Sequence, residues 1–281
     1  MGNNELEQEW SQVIEPTSNP FTLNVGELWR YRDLIILFVK RDFVSVYKQT
    51  VLGPLWHFLQ PLFTTLVYWI FGGLAGLPTD GLPRILFLLT GVVIWNYFAA
   101  CLTKTSNTFI GNAHIFGKVY FPRLAIPISV IISNLMSFFI QLLLVVPFLV
   151  YYHSQIQPNV FLLALPFLII VIAMMGLGFG IIVSSLTIKY RDLVYLISFG
   201  VQLAMYAAPV IYPLSMIPER YRWIASLNPL TPLIEAFRYA LMGRGTFTAQ
   251  SILYSTVFAV VVLLIGIVLF NRAEKDFMDT V

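Results

Sequence analysis

Hydrophobic residues in this chain are gathered into long runs that contain no Asp, Glu, Lys or Arg. A run of roughly 20 apolar residues can cross the ~30 Å hydrocarbon core of a bilayer as a helix. Such runs are expected to be helical, because lipid offers no partners to backbone N–H and C=O groups. Six runs fit, namely Leu55–Leu77, Ile85–Leu102, Leu124–Tyr151, Val160–Ile188, Leu193–Tyr212 and Ile252–Phe270. The pattern predicts an all-α polytopic membrane protein with six transmembrane helices.

The segment before the first run is amphipathic. Wound as an α-helix, Leu28–Leu52 places apolar side chains on one face and cations on the other, with Arg32 as an exception on the apolar side. The apolar face carries Leu28, Ile35, Val39, Phe43 and Val46, and the cationic face carries Arg30, Arg41 and Lys48. We expect a helix lying in the membrane surface, with its apolar side in the acyl boundary. Gly53 and Pro54 should end it, since proline disfavours a helical residue just before itself.

The loop Pro213–Gln250 also carries hydrophobic residues, but in short pieces. Prolines divide it, and the apolar positions of each piece have helical spacing without the length to span a bilayer. Short helices of this kind are usually interfacial or re-entrant. The alternative is a hydrophobic loop packed on the outer leaflet.

The distribution of charge predicts the orientation. With the N-terminus inside, twelve of the seventeen Lys and Arg residues lie on the cytoplasmic side, which favours both termini in the cytoplasm. Residues 1–26 are polar and acidic at the start and lack the apolar core of a signal peptide, so we predict a flexible cytoplasmic tail. Residues 27–281 then form one transmembrane domain.

Composition excludes several classes of protein. The chain is 58% hydrophobic and 11% charged, whereas soluble domains carry about 25% charged residues. Cys101 is the single cysteine, and His57, His114 and His153 lie far apart, so we expect no metal site. The sequence contains no phosphate-binding loop motif and suggests no nucleic-acid partner. Ion-coupled carriers usually keep ionisable groups inside the membrane, so a separate ATP-hydrolysing subunit is the expected energy source.

One stretch carries a family resemblance. Tyr31–Leu34, Lys40–Asp42, the run Tyr47–Trp56 and Gln60–Pro61 resemble the opening of the membrane subunits of ABC polysaccharide exporters. These are type 2 ABC permeases that export O-antigen, capsule and teichoic acid chains. The resemblance covers nearly all the chain beyond the acidic tail. It implies a homodimer in the bacterial inner membrane, paired with an ATP-binding subunit that holds ATP and Mg. No cofactor is expected on this chain, and the implied cargo is a glycan on polyprenyl pyrophosphate.

The resemblance also implies functional segments. Gly111–Arg123 resembles the segment that docks onto the ATPase, with Gly111, Asn112, His114, Phe116, Lys118, Tyr120, Pro122 and Arg123 as candidate contacts. The alternative is a basic turn that only fixes topology. The short helices of the last loop imply an external gate region, with Glu219, Arg220, Asn228, Glu235 and Arg238.

Two further sets of residues suit a lipid-linked glycan. Aromatic rings can stack on sugar faces, so a glycan path is predicted past Trp95, Tyr97, Tyr206 and Tyr212. Interfacial belt positions are the alternative for such side chains. The cations Arg30, Arg41 and Lys48 could contact a lipid pyrophosphate, or only the headgroups of membrane lipids.

Two rival functions remain open at this point. The first is a type 2 ABC permease for a small drug or lipid, which shares the architecture. The second is a membrane enzyme acting on lipid-linked sugars, which needs carboxylates or histidines converging at one face. Asp33, Asp42 and Asp192 are predicted to be cytoplasmic, but their spacing suggests no such site.

Overall fold

Every regular element in the described part of the chain is a helix. The computed structural model describes residues 25–48, 50–116 and 121–278. In chain order the α-helices are α1 (Val25–Arg30), α2 (Arg32–Tyr47), α3 (Trp56–Leu74), α4 (Arg84–Ser106), α5 (Thr108–Phe116), α6 (Ala125–Tyr151), α7 (Leu165–Thr187), α8 (Leu193–Ala207), α9 (Glu219–Leu227), α10 (Leu230–Met242) and α11 (Ala249–Met278). Short 3₁₀ turns lie at Gly53–Leu55, His153–Gln155, Val160–Ala164 and Leu214–Met216.

Four helical stretches in the described residues are long and apolar enough to cross a membrane. They are Arg84–Ser106, Ala125–Tyr151, Val160–Thr187 and Ala249–Ala273, which are the second, third, fourth and sixth predicted spans. The first and fifth predicted spans correspond to α3 and α8, which fall outside this group. The count of six therefore stays a prediction.

The helices α3 and α8 do not meet the requirements for a membrane span, for different reasons: α3 is not apolar enough and α8 is too short. The first turns of α3 carry the polar residues His57 and Gln60. The helix α8 has only 15 residues and ends at Ala207 instead of the predicted Tyr212. Ala208 already has an extended backbone, with φ −102° and ψ 150°, which is the conformation that Pro209 imposes on the residue before it.

The centre of the molecule is α4. Its residues are buried along most of the helix, because α3, α6, α7 and α8 pack around it. The helix α7 contacts α4 and also packs closely against α11, and Gly178 of α7 faces Gly266 of α11. A Cβ atom on Gly266 would lie 2.8 Å from the carbonyl oxygen of Gly178. Such small residues let two apolar helices approach within backbone contact.

The structure corrects the prediction for the amphipathic segment. The predicted helix Leu28–Leu52 is interrupted at Tyr31 and ends at Tyr47. Its inner face, with Ile35, Phe38 and Val39, is buried against the start of α6 and aromatic residues of this chain. That face therefore packs on protein, where lipid was expected.

A second apolar stripe of the same segment remains for lipid. Trp29, Ile36, Leu37 and Val44 are all exposed. An exposed stripe of this kind is what an interfacial helix presents to the acyl boundary. Of residues 1–26, only Val25 and Gly26 lie in the described part of the chain, where they begin α1.

The short helices predicted in the last loop are present as α9 and α10. The helix α9 is exposed, with Trp223 at 62%. The helix α10, in contrast, is buried along almost its full length, against α4, α7 and α11. At 13 residues it is too short to span a bilayer, so it lies tucked into the protein.

Candidate functional site

The two ends of the bundle carry different chemistry. We call them the α5 end, where α4, α7 and α11 finish and α2, α5 and the start of α6 lie, and the α10 end, where α9 and α10 lie. Under the predicted orientation, the α5 end is the cytoplasmic one.

An aromatic cluster fixes α5 to the rest of the α5 end. Phe109 stacks on Phe270 of α11, with ring centroids 4.6 Å apart, and Phe116 stacks on Phe121 at 5.7 Å. Phe38 of α2 contacts Phe121 at 5.6 Å. Since each of these five rings is buried, α5, α2 and α11 are packed together through them.

The predicted docking residues fall into an exposed set and an anchoring set. Gly111 is exposed and Asn112 is half-buried, so both lie near the surface of α5. Phe116 is buried, and so is Arg123, whose guanidinium lies 5.1 Å from the centroid of the Phe116 ring. Pro122 is half-buried beside them. Lys118, Tyr120 and the side chain of His114 lie outside the described residues.

A cleft of about 400 Å³, lined by both polar and apolar side chains, opens beside α5. It lies between α2, α4, α5 and α6, and its lining includes Arg41, Lys104, Asn112 and Asn134. The Lys104 ammonium donates a hydrogen bond of 2.8 Å to Asn134 Oδ1. Of the three cations predicted to meet a lipid phosphate, only Arg41 lines this cleft. Arg30 and Lys48 are exposed elsewhere on the α1–α2 segment.

The α10 end contains a buried ion pair. Glu235 and Arg238 are one helical turn apart in α10, with Arg238 Nη1 3.0 Å from Glu235 Oε1. Arg238 also donates to the carbonyl oxygens of Pro209 and Val210, both at 2.7 Å. Glu235 Oε2 accepts the backbone N–H of Thr246 at 3.0 Å. The pair therefore joins the segment after α8 to the segment after α10.

The Arg238 guanidinium keeps its charge in this buried position. Burial lowers the pKa of Arg238 to about 10, and the adjacent Glu235 carboxylate opposes that shift. The guanidinium is thus still protonated at neutral pH. A buried charge is tolerated when it is paired and hydrogen-bonded. The two Nη atoms of Arg238 meet this need with Glu235 and backbone carbonyl oxygens, whereas its Nε has no partner among the described residues.

The other predicted gate residues lie closer to the surface. Glu219 and Arg220 are exposed on α9, and Arg220 contacts the hydroxyl of Tyr221. Asn228 Oδ1 accepts the N–H of Leu230 at 3.0 Å, and its Nδ2 donates to Ala207 O at 3.4 Å. Asn228 therefore links the end of α8 to the start of α10.

The four aromatics predicted along a glycan path divide into two pairs. Trp95 and Tyr97 are 4% and 3% exposed, so they are core residues of α4 and line no open surface of this chain. The Tyr97 ring packs at 5.1 Å on Phe138. Tyr206 is exposed near the end of α8, and its carbonyl accepts the Tyr212 hydroxyl at 3.0 Å.

Sequence reasoning overlooked Lys104 and Asn134. Lys104 lies just beyond the second predicted span. In the sequence it was considered only as one of the positive charges that predict the orientation. Asn134 lies inside a long apolar run, where an isolated amide is a recognisable signal, because a polar side chain in a membrane helix needs a partner. Their pairing across 30 residues of sequence is visible only in the structure.

The helical fold with four apolar stretches of spanning length defines a membrane protein, and the comparisons with known proteins give its family. Residues 33–242 match the family model described as ABC-2 type transporter. The chain belongs to this family of ABC transporter membrane subunits, which confirms the resemblance found in the Tyr31–Pro61 region.

Similar proteins include several export permeases. An O-antigen export system permease protein RfbA from Klebsiella pneumoniae is 32% identical, over 91% of this chain and 96% of the relative. A Myxococcus xanthus protein of the same name is 26% identical over 92% of this chain and 98% of the relative. The polysialic acid transport protein KpsM of Escherichia coli is 25% identical over 82% and 89%.

Proposed function

We propose that this chain is the membrane permease of an ATP-driven exporter of lipid-linked polysaccharide. Its cargo is an O-antigen-like glycan on polyprenyl pyrophosphate, which it moves outward across the inner membrane. One observation carries the proposal, namely the alignment with O-antigen export permeases along nine-tenths of the chain. The relatives are named as permeases, so the chain is a transport subunit and ATP hydrolysis belongs to a separate subunit.

The exposed apolar helices support a homodimer. Large apolar side chains are exposed along α3 and α8, among them Phe63 and Phe71 of α3 and Leu196 and Phe199 of α8. Lipid covers part of this surface, and a second copy of the chain covers the rest. Six spans from each copy would then surround a path with Tyr206 and Tyr212 near its α10 end. The cationic α5 end faces the cytoplasm, as do both termini.

The ATP-binding subunit, with its ATP and Mg, docks at the α5 end. Gly111 and Asn112 lie near the surface there, while Phe116 and Arg123 anchor the segment. Movement of the ATPase on nucleotide binding would displace α5 and, through the aromatic cluster, also α2 and α11. At the other end, Glu219, Arg220 and Asn228 lie on the α9 surface that the glycan leaves by, and Glu235 and Arg238 hold that gate region together.

The transport assay uses the chain with its ATPase partner in inside-out membrane vesicles. We expect ATP-dependent movement of a labelled polyprenyl-pyrophosphate glycan into the vesicle lumen. Vesicles with the chain alone, or with an ATPase lacking its Walker lysine, are the controls and should show no uptake. Uptake of small drugs or free lipids without the glycan would favour the drug or lipid permease.

A deletion strain separates transport from synthesis. Loss of the permease should leave the completed glycan-lipid in the cytoplasm, whereas loss of an enzyme would remove the glycan itself. Charge reversal at Arg30, Arg41 and Lys48 should abolish export while leaving expression and ATPase binding intact. Unimpaired export in that triple variant would contradict a role for these cations in substrate contact.

A further inference from the structure

We infer that the cleft between α2, α4, α5 and α6 binds the phosphate-bearing headgroup of a lipid, with Lys104 and Asn134 as its principal contacts. The inference rests on the proposed function for the identity of the lipid, which would be the polyprenyl pyrophosphate carrier of the glycan. Arg41 lines this cleft, whereas the exposed cations Arg30 and Lys48 lie outside it and would meet the lipid at the membrane surface, before its headgroup enters the cleft.

Lys104 and Asn134 form a hydrogen-bonded pair in the lining of the cleft. Both residues line the cleft, Asn134 being 3% exposed and Lys104 more exposed. An ammonium group only donates hydrogen bonds, so the amide atom 2.8 Å from Lys104 Nζ must be the oxygen. The Asn134 amide is therefore fixed with Oδ1 toward Lys104 and Nδ2 turned away from it.

The Asn134 Nδ2 group is buried and has no hydrogen-bond partner among the described residues. Leaving a buried N–H group unpaired is unfavourable, and native structures rarely do so without a reason. A ligand oxygen that entered beside Lys104 could accept from the amide once the Asn134 side chain adjusts toward the cleft.

The charges of the lining favour an anion. Arg41 and Lys104 supply two positive charges and Asp42 one negative charge, which leaves one positive charge in excess. Asp42 is already engaged, with its Oδ1 2.8 Å from Arg41 Nη2. Lys104 has no carboxylate within ion-pair distance among the described residues, and its bond to Asn134 leaves two ammonium N–H groups for a ligand.

The remaining lining suits phosphate oxygens. Asn107 adds an amide group and Ser133 a hydroxyl, beside the apolar side chains of Ile126, Val130 and Val194. The hydroxyls of Ser45 and Thr103 already donate to backbone carbonyl oxygens of their own helices, and Asn112 Nδ2 uses one N–H in the same way. A lysine and neutral donors of this kind bind phosphate through charge-assisted hydrogen bonds. The lipid chain would leave the cleft toward the exposed apolar stripe of α2.

The cleft also touches the segment that is proposed to meet the ATPase. Gly111 and Asn112 of α5 belong to its lining. A headgroup in the cleft would therefore contact α5 directly. Binding of the lipid headgroup in the cleft and the position of α5 would therefore affect each other, because α5 forms part of the cleft lining.

Binding of a defined probe tests the site. The permease–ATPase complex is placed in phosphatidylcholine nanodiscs, and the dissociation constant of labelled farnesyl pyrophosphate is measured. Lys104→Gln removes the charge but keeps a partner for Asn134, and we expect the dissociation constant to rise about tenfold or more. Asn134→Asp keeps the acceptor for Lys104 but replaces the free donor by a negative charge, and should weaken binding at least as much. Lys40→Gln, an exposed lysine of α2 outside the cleft, is the matched control.

Each outcome has a distinct meaning. Weaker binding in both cleft variants, with the control equal to wild type and the melting temperatures unchanged, supports the site. Equal affinity in all four proteins overturns it. Added phosphatidylglycerol that displaces the probe from the wild-type complex would assign the cleft to ordinary anionic lipids and overturn the carrier assignment. Glycan transport is measured on the same preparations, and its absence in wild type would overturn the proposed function independently of the binding result.

Discussion

The guanidinium carbon of Arg238 lies 3.6 Å from the centroid of the Phe87 ring. This contact joins α10 to the second turn of α4, where Arg238 Nη2 also lies 3.3 Å from the Phe87 carbonyl oxygen. A cation over an aromatic face is stabilised most when water is excluded, and Arg238 is 1% exposed. The charge of Arg238 therefore fixes the position of the short helix α10 against the central helix of the bundle.

Replacing Arg238 alone should strongly destabilise the protein. Arg238→Met leaves the Glu235 carboxylate buried without its cation, which costs about 3–5 kcal/mol. The melting temperature of the detergent-solubilised chain should fall by several degrees. Arg220→Met on exposed α9 is the control and should have no effect. The double variant Arg238→Met with Glu235→Gln should recover part of the loss, and a double variant less stable than the single one would contradict this account.

The contact between α7 and α11 predicts a large difference between two glycines. A Cβ atom on Gly178 would lie 2.8 Å from the backbone nitrogen of Leu263, so Gly178→Ala must push α11 away. We expect a loss of about 1–3 kcal/mol from such overpacking. Gly200 of α8 has nothing within 4 Å of that position, so Gly200→Ala should be neutral or slightly stabilising. Thermal unfolding of the two variants in the same detergent makes the comparison, and equal melting temperatures would rule out the close approach.

The packing of α2 predicts different roles for two adjacent residues. Phe38 is 6% exposed within the aromatic cluster, whereas Leu37 is 61% exposed. Phe38→Ala should cost about 3–5 kcal/mol, as for other buried phenylalanines. Leu37→Ala should change stability little, because lipid solvates that position. If α2 instead rested on lipid through its Phe38 face, the Phe38 variant would unfold at the wild-type temperature.

The exposed surface of α5 predicts where the ATPase binds. Ile110 is 37% exposed on α5, although it is apolar. Ile110→Asp should weaken binding of the ATPase subunit about tenfold, since burying a charge in an apolar contact is costly. Ile224→Asp on α9, at the opposite end of the molecule, is the matched control. Affinity would be measured by titration of the purified ATPase onto the permease in nanodiscs. If Ile224→Asp weakened ATPase binding and Ile110→Asp did not, the ATPase would bind at the α10 end, and this prediction would be wrong.

The fold class and most helix positions could be predicted from the local pattern. The runs that became α4, α6, α7 and α11 are apolar over a bilayer's thickness, and in lipid that property suffices to specify a helix. The short helices α9 and α10 followed from apolar spacing between prolines. The end of α8 was predicted at Tyr212, five residues beyond its observed end at Ala207. Pro209 forces Ala208 out of the helical conformation, and the apolar run that continues past it gives no sign of this break.

The candidate site was only partly accessible to the same reasoning. Gly111–Arg123 was singled out, but which of its residues are exposed depends on rings from α2 and α11, far away in sequence. Trp95 and Tyr97 were expected along a glycan path and lie in the core, because an aromatic in a membrane helix can face lipid, protein or a pore with the same sequence pattern.

By itself the sequence determined that this protein lies in a lipid bilayer, that it is helical and which family it resembles. These properties depend on hydropathy and local motifs, which are visible in short stretches of chain. Only the tertiary structure decided which polar groups meet. Lys104 and Asn134, or Arg238 and Phe87, are partners because helices distant in sequence pack side by side. Their pairing depends on the relative rotation and height of those helices, which no local pattern encodes.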